Sequence, residues 1–250
     1  MAAKTHERLR GHVPKQARSR QTLSRLLDAA ESVLRENGLE AATVPAIARK
    51  AGVSVGVVYR RFSDKDDLLR AVYERFFVRL EESNLAAMSF PGLTRMSLEQ
   101  LVRGVVAGMV LGYRHHRGIL RALTIYARSH PDADFRRHAE QLSRATIPHL
   151  VALFLRHRHS MGHPDPEAAV PFAFLTVAYV LRGALLEEED WHNTLVPGGG
   201  RLEEELTRMV LSYLDVEVAT DDSLDDPTAR PDVAAKRRPS RRPAGERAHE

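Results

Sequence analysis

Residues 43–62 read TVPAIARKAGVSVGVVYRRF, and this stretch decides the fold. Thr43 stands where a helix N-cap belongs, ahead of a short helix through Ala51 with the apolar face Val44, Ile47, Ala48 and Ala51. Gly52 ends that helix. Ser54 caps a second one, with Val55, Val58 and Phe62 at inward spacing. Two short helices joined through Ala51-Gly52-Val53-Ser54 predict a helix-turn-helix. In it Gly52 supplies the turn, Ala48 lets the helices approach and Val53 fills the space between them. The second helix, read as Ser54 to Phe62, then turns Gly56, Val57, Tyr59 and Arg60 outward, with Arg61 on the flank. Such a face fits the major groove of DNA.

Each outward residue has a chemical task. Arg60 matches the O6 and N7 acceptors of guanine, and Arg61 is assigned to phosphate. Gly56 lets the backbone approach the duplex, while Val55 or Val57 can touch thymine methyls. The Tyr59 hydroxyl can donate to phosphate, and Thr43 can act there with the free N–H groups of the helix it caps. Lys65, at the start of the next helix, reaches the same backbone. The plainer alternative is an ordinary helix pair with solvated basic residues.

Working outward, Leu23, Leu26, Leu27, Ala30, Val33 and Leu34 make one face of a helix from Gln21 to Asn37, stopped by Asn37-Gly38. Downstream, Ser63 is read as the cap of a long helix with Asp66 as its capping-box partner and Leu68, Leu69, Val72, Phe76 and Leu80 inward. After Pro91-Gly92, Ser97 and Gln100 form a second capping box, opening a helix that carries Gly104, Gly108 and Gly112 on one line. Close packing by a neighbouring helix is the expected reason for these glycines. A short helix over 119–128 follows, then a longer one from Pro131 to about Arg158. Asp165-Pro166 opens an apolar helix ending near Glu189, and the last helix spans Glu203 to Val216. No strand and no repeat is legible.

The predicted fold is therefore all-α: an N-terminal three-helix head with the helix-turn-helix, and a helical-bundle body for regulation and dimerisation. The expected divisions are a flexible basic arm (1–17), the head (18–64), the body (65–217) and a disordered charged tail (218–250).

Composition narrows the function. The 250 residues are 43% hydrophobic, enough for a sizeable core, and contain no cysteine, which excludes disulfides, thiolate metal sites and thiol catalysis. The net charge is only +4, but basic residues crowd both ends, from Lys4 to Arg25 and from Lys236 to Arg247. Basic ends suit a polyanion such as nucleic acid. No secretion signal follows the first charges, so the chain is expected to be cytoplasmic. Residues 168–186 approach the length of a membrane span, but Pro171, Arg182 and the acidic run from Glu187 favour a helix buried in protein. His115, His116, His157, His159 and His163 lack metal-site spacing, and neither a phosphate loop nor a nucleophile arrangement is present. No cofactor, metal or catalytic residue is expected. The weaker alternatives are an all-helical enzyme using the histidines and an architectural DNA binder driven by its tails.

The run LLDAAESVLRENGLEAATVPAIARKAGVSVGVVYRRFSDKDDLLRAVYERF, residues 26–76, resembles the DNA-binding head of the tetracycline-repressor (TetR) family. The likeness lies in Gly38, Thr43, Gly52-Val53-Ser54, Tyr59, Phe62, Lys65 and Leu68-Leu69. It implies a homodimer on a palindromic operator, with an effector pocket among the body helices and a dimer interface from the last two. Operator binding would be released by a small molecule. It also implies that Thr43, Val55, Gly56, Val57, Tyr59, Arg60, Arg61 and Lys65 contact DNA. Val55 and Val57 depart from the polar residues often found there, which shifts base reading toward Arg60, Arg61 and apolar contacts.

Candidate pocket residues are Met109, Tyr113, His116, Leu120, Leu123, Tyr126, Phe154, Phe174 and Tyr179. Arg182 joins them because a guanidinium in an apolar helix needs a partner. An acidic side chain across a dimer is the expected one, and an anionic effector is the alternative.

Overall fold

The computed structural model describes residues 15–186 and 200–216, and these contain ten α-helices and no strand. The head comprises α1 (Lys15–Ala41), α2 (Val44–Ala51) and α3 (Val55–Tyr59); the long α4 (Lys65–Met88) leads into the body. A 3₁₀ turn (Pro91–Arg95) precedes α5 (Leu98–His115), α6 (Arg117–Ser129), α7 (Ala133–Arg144) and α8 (Ile147–Leu155). The last two helices are α9 (Pro166–Leu186) and α10 (Gly200–Tyr213). Residues 1–14 of the arm expected over 1–17, the end of the apolar helix near Glu189 and the tail beyond 216 lie outside the described residues, while 15–17, expected in the flexible arm, are the first turn of α1.

Local chemistry sets most of these bounds. Ser97 accepts from the Gln100 N–H at 3.2 Å while the Gln100 side chain accepts from the Ser97 N–H at 3.0 Å, the reciprocal box expected there. Asp165 accepts from the Ala168 N–H at 3.1 Å and starts α9 with Pro166 behind it. Gly38 takes φ 78°, so the first helix proper ends where predicted, with a short turn to Ala41 beyond the kink.

Several boundaries differ from expectation: α1 opens at Lys15 and not Gln21, α10 spans Gly200–Tyr213 and not Glu203–Val216, and two further differences have a visible cause. The cap of α4 is Asp64, which accepts from the Asp67 N–H at 2.8 Å, while Asp67 accepts from the Ser63 N–H at 2.9 Å. The box is shifted one residue from Ser63 and Asp66, because Asp66 is drawn into tertiary bonds. The helix expected from Pro131 to Arg158 is two helices, α7 and α8, broken at Ala145-Thr146 with a proline in the first turn of α8.

The core forms two clusters. One joins Leu26, Leu34, Ile47 and Val58 of the head to Leu68 and Val72 of α4, to Ile119 and Leu123 of α6 and to Phe135 of α7. The other joins α5, α8, α9 and α10 through Val102, Phe154, Val177 and Val210. The division between the clusters thus does not fall at residue 64: α6 lies along α1 and shares the head's core. Helix α9 is long and apolar enough to cross a membrane, with mean hydropathy 1.8. Val170, Ala173, Phe174, Val177 and Leu181 turn one face of it into the second cluster, while Phe172 and Tyr179 on the same helix are exposed.

Candidate nucleic-acid interface and the cavity behind it

The turn between α2 and α3 is built as the sequence requires. Gly52 adopts φ 65° and ψ 39°, and the Val53 N–H donates back to the Ala48 carbonyl at 3.0 Å. Arg25 of α1 adds a lock that local reading missed. Its guanidinium donates to the Ala51 carbonyl at 2.6 Å, satisfying the end of α2 from a helix 26 positions upstream. Thr43 caps α2, accepting from the Ala46 N–H at 3.3 Å.

Helix α3 is shorter than the nine residues expected, with regular helix only from Val55 to Tyr59; a further turn carries the Phe62 N–H to the Val58 carbonyl at 3.0 Å. Ser54 makes no side-chain cap bond. Val58 and Phe62 are buried, and Gly56, Tyr59 and Arg60 are exposed, as the periodicity requires. Val55, given an inward spacing, instead lies 37% exposed beside them, and Val57 is half-buried. Arg61, assigned to phosphate, is occupied within the chain: it donates to the Ser19 carbonyl at 2.7 Å and the Ser19 hydroxyl at 2.9 Å. It ties α3 to the start of α1. Lys65 is half-buried in the first turn of α4.

A polar cluster joins this head to the body just behind Lys65. Asp66 accepts from the Tyr126 hydroxyl at 2.7 Å, from Arg70 Nε at 2.7 Å and from His130 Nε2 at 2.9 Å. His130 is buried; its Nδ1 accepts from the Asp132 N–H at 3.1 Å, which leaves Nε2 to carry the proton toward Asp66. Arg70 also reaches Asp132 at 3.0 Å. Burial raises the pKa of Asp66, but the bonds from Tyr126, Arg70 and His130 together outweigh it and hold the carboxyl at about 2, below its ordinary 3.8. The stabilisation is therefore complete above pH 3.8 and is lost as pH falls toward 2. For this half-exposed carboxylate, solvent screening leaves about 1 kcal/mol. Asp66→Asn should flatten the acid limb of an unfolding-versus-pH curve in that window; an unchanged limb would show that Asp66 makes no such contribution.

Behind the cluster, α4 to α9 border a cavity of about 1400 Å³ that opens to solvent on one side. Met109, Tyr113, His116, Leu120, Phe174, Tyr179 and Arg182 line it, seven of the residues chosen from sequence. Leu123, Tyr126 and Phe154 do not. Leu123 and Phe154 are fully buried in the two core clusters, and Tyr126 turns its hydroxyl to Asp66. Their apolar character marked them as interior without saying which interior. Burial lowers the His116 pKa, with the neighbouring His115 and the Arg35 guanidinium acting in the same direction.

Gly104, Gly108 and Gly112 also line the cavity, and close helix packing does not explain them. A Cβ added at Gly108 or Gly112 would meet nothing within 4 Å, and at Gly104 only the Met96 methyl at 3.9 Å. Each glycine costs roughly 1 kcal/mol of helix stability relative to alanine, and what it gives is open space along α5. Within the single chain no described carboxylate pairs with Arg182, whose guanidinium lies 5.3 Å over the Tyr179 ring; the acidic partner expected for it is one on the other copy of a dimer.

Comparison with known proteins agrees with this geometry. Residues 26–72 match the family described as bacterial regulatory proteins, tetR family, and residues 97–214 match the tetracyclin repressor-like C-terminal domain. The chain belongs to the TetR family. It is a DNA-binding transcriptional regulator and not an enzyme. The HTH-type transcriptional regulator BetI of Escherichia coli (strain K12 / DH10B) is 30% identical over 161 residues, 64% of this chain and 80% of its own length. The fold is shared with the fatty acid degradation regulator FadR of Bacillus halodurans, at TM-score 0.56 and 19% identity over 78% of this chain and 97% of that one. It is also shared with FadR of Bacillus subtilis, solved in complex with stearoyl-CoA, at TM-score 0.54 and 17% identity over 76% and 97%.

Proposed function

We propose that this TetR-family chain is a homodimeric, cytoplasmic repressor that binds a palindromic operator and leaves it when a small molecule fills the cavity. The observation that carries the reading is the free face of α3: Val55, Gly56, Tyr59 and Arg60 are exposed, and no described part of the body covers them. Arg60 reads a base edge, Tyr59, Lys65 and Thr43 hold phosphates, and Val55 and Val57 supply apolar contacts. Arg61 serves by fixing α3 against α1 and meets phosphate only if it leaves Ser19. In this reading residues 18–64 are the DNA head and 65–217 the effector and dimer body, with the arm (1–17) and the tail (218–250) as accessories.

The dimer face in this proposal is α9 with α10. Phe172 is 59% exposed and stacks on exposed Tyr213 at 5.4 Å between ring centroids, an apolar pair that a monomer would leave in water. The cavity supports the release step, as does the stearoyl-CoA held by B. subtilis FadR on the same fold. The test is a mobility-shift titration on the DNA upstream of the gene. Replacing Arg60 by Ala, Tyr59 by Phe and Lys65 by Ala together should weaken specific binding about a hundredfold, since one bidentate base contact alone contributes about 1–3 kcal/mol. Unaltered binding would refute the assigned surface.

A further inference from the structure

The cavity is asymmetric in a way that specifies its occupant. Phe76 of α4 meets His116, just beyond the end of α5, at 5.5 Å between rings, while Met88 at the other end of α4 joins the cluster that holds Leu98 and Leu101 of the first turn of α5, so the two helices run antiparallel along the cavity. From Tyr73 to Met88, at about 1.5 Å rise per residue, the wall is about 22 Å long. Its far end is apolar, lined by Met88, Leu93, Met96, Leu101, Leu150 and Leu153. Its near end, beside α7 and the end of α9, carries five arginines and one carboxylate, Glu140.

Four of these arginines, Arg128, Arg136, Arg137 and Arg144, lie at the exposed mouth, and Arg182 is the half-buried one. Glu140 pairs with Arg144 at 2.8 Å, and Arg137 is taken by Asp134. Arg136 spends its donors on the His130 and Pro131 carbonyls. No carboxylate among the described residues pairs with Arg128, Arg136 or Arg182. Arg144 and Arg182 converge on one ring: Arg144 donates to the Tyr179 hydroxyl at 3.2 Å, and Arg182 lies over its face. Between the two ends runs the glycine line. Gly104, Gly108 and Gly112 line about 12 Å of α5 beside Val105 and Met109, and an added Cβ at Gly108 or Gly112 would meet nothing within 4 Å.

We infer that the ligand of this cavity is a long-chain acyl anion, with its chain along the Gly104–Gly108–Gly112 line toward Met96 and Leu150 and its anionic head on Arg182, where Arg144 reaches the same Tyr179 ring. This rests on the ligand-release reading of the same cavity. Size and charge both favour it. A volume of about 1400 Å³ exceeds the 300–1,000 Å³ that suits an ordinary small ligand, so a compact molecule leaves it mostly empty. A cation of any size meets the arginines at the wrong sign. A carboxylate head and a phosphate-bearing thioester head share this chemistry, and the experiment separates them.

The full chain is titrated with palmitate, palmitoyl-CoA, their shorter homologues, CoA alone and an alkyltrimethylammonium of matching length, below micelle-forming concentrations. Direct binding is read by calorimetry and operator release by mobility shift. Affinity for the acyl anions should rise by about fourfold per methylene until the cavity is full. The ammonium should not bind. Whichever head binds more tightly at equal chain length, carboxylate or thioester, identifies the source. Arg182→Ala should weaken the acyl anion by about tenfold or more. Gly108→Leu should shift the optimum to shorter chains, because its side chain blocks the glycine line. Far-UV circular dichroism of both variants without ligand checks that they fold. Failure of both acyl anions to bind, equal binding of the ammonium, or a Gly108→Leu effect independent of chain length would overturn the inference. Binding of the acyl anion without operator release would uphold it and sink the release reading. Release by a cation or a compact neutral compound would do the reverse.

Discussion

Alanine at Gly118 should lower the stability of the chain by about 3 kcal/mol, the upper end of what overpacking costs. Gly118 is the second residue of α6, where that helix meets the last turns of α1. A Cβ there would lie 2.3 Å from the Arg35 carbonyl oxygen, 3.1 Å from its carbon and 3.3 Å from its Cα. All three are backbone atoms, which cannot swing aside as the end of a side chain does. The two helices would have to separate, and the fully buried Leu34, Ile119 and Leu123 would lose contact with one another's layer. For a chain of this size, 3 kcal/mol corresponds to roughly 6–12 °C in Tm. Far-UV circular dichroism during heating measures it. Gly112→Ala is the internal control, since an added Cβ there meets nothing and a helix gains by about 0.5–1 kcal/mol from the exchange. Equal Tm values for the two variants would refute the close approach of α1 and α6.

The second large effect concerns assembly. Phe172→Glu with Tyr213→Glu should leave a folded monomer that has lost operator binding by more than about a hundredfold. Both rings are exposed in the single chain, so the charges cost its fold little. In a dimer they would be buried against their own copies, unpaired and facing like charges, where each buried charge without a partner costs several kcal/mol. A two-fold dimer presents two α3 helices to two half-sites, and a monomer can hold only one, so it forfeits the base contacts of the other half. Sedimentation equilibrium and mobility shift on the same preparation measure the two losses together. A dimeric double variant would move the interface elsewhere. A monomeric one that still binds the operator as well as the unaltered chain would remove dimerisation from the mechanism.

These two predictions draw on different kinds of information, and the division runs through the whole molecule. The helix-turn-helix was legible because its signals are local: Thr43 capping α2, Gly52 at positive φ and the inward pair Val58 and Phe62 all act within a few residues. The same holds for the Ser97–Gln100 box and the start of α9. Where a side chain answers to a distant partner, local reading failed. Asp66 was read as a capping residue because of its spacing, yet Tyr126 and His130, 60 and 64 positions away, claim it. Arg61 is basic and flanks α3, which assigns it to phosphate, but nothing local announces its bond in the single chain to Ser19, 42 positions upstream.

The sequence by itself determined the helices, the turn and the outward face of α3, since caps, periodicity and the chirality of glycine are settled between near neighbours. Only the tertiary structure decided which apolar residues enclose space and which fill it. Phe154 and Phe174 sit on one core and touch at 4.6 Å between rings, yet only Phe174 reaches the cavity. The glycines of α5 carry no side chain whose chemistry could announce a role, and their meaning rests on what stands opposite them. A void is a property of all its walls at once, and those walls come from six helices spread over more than a hundred residues.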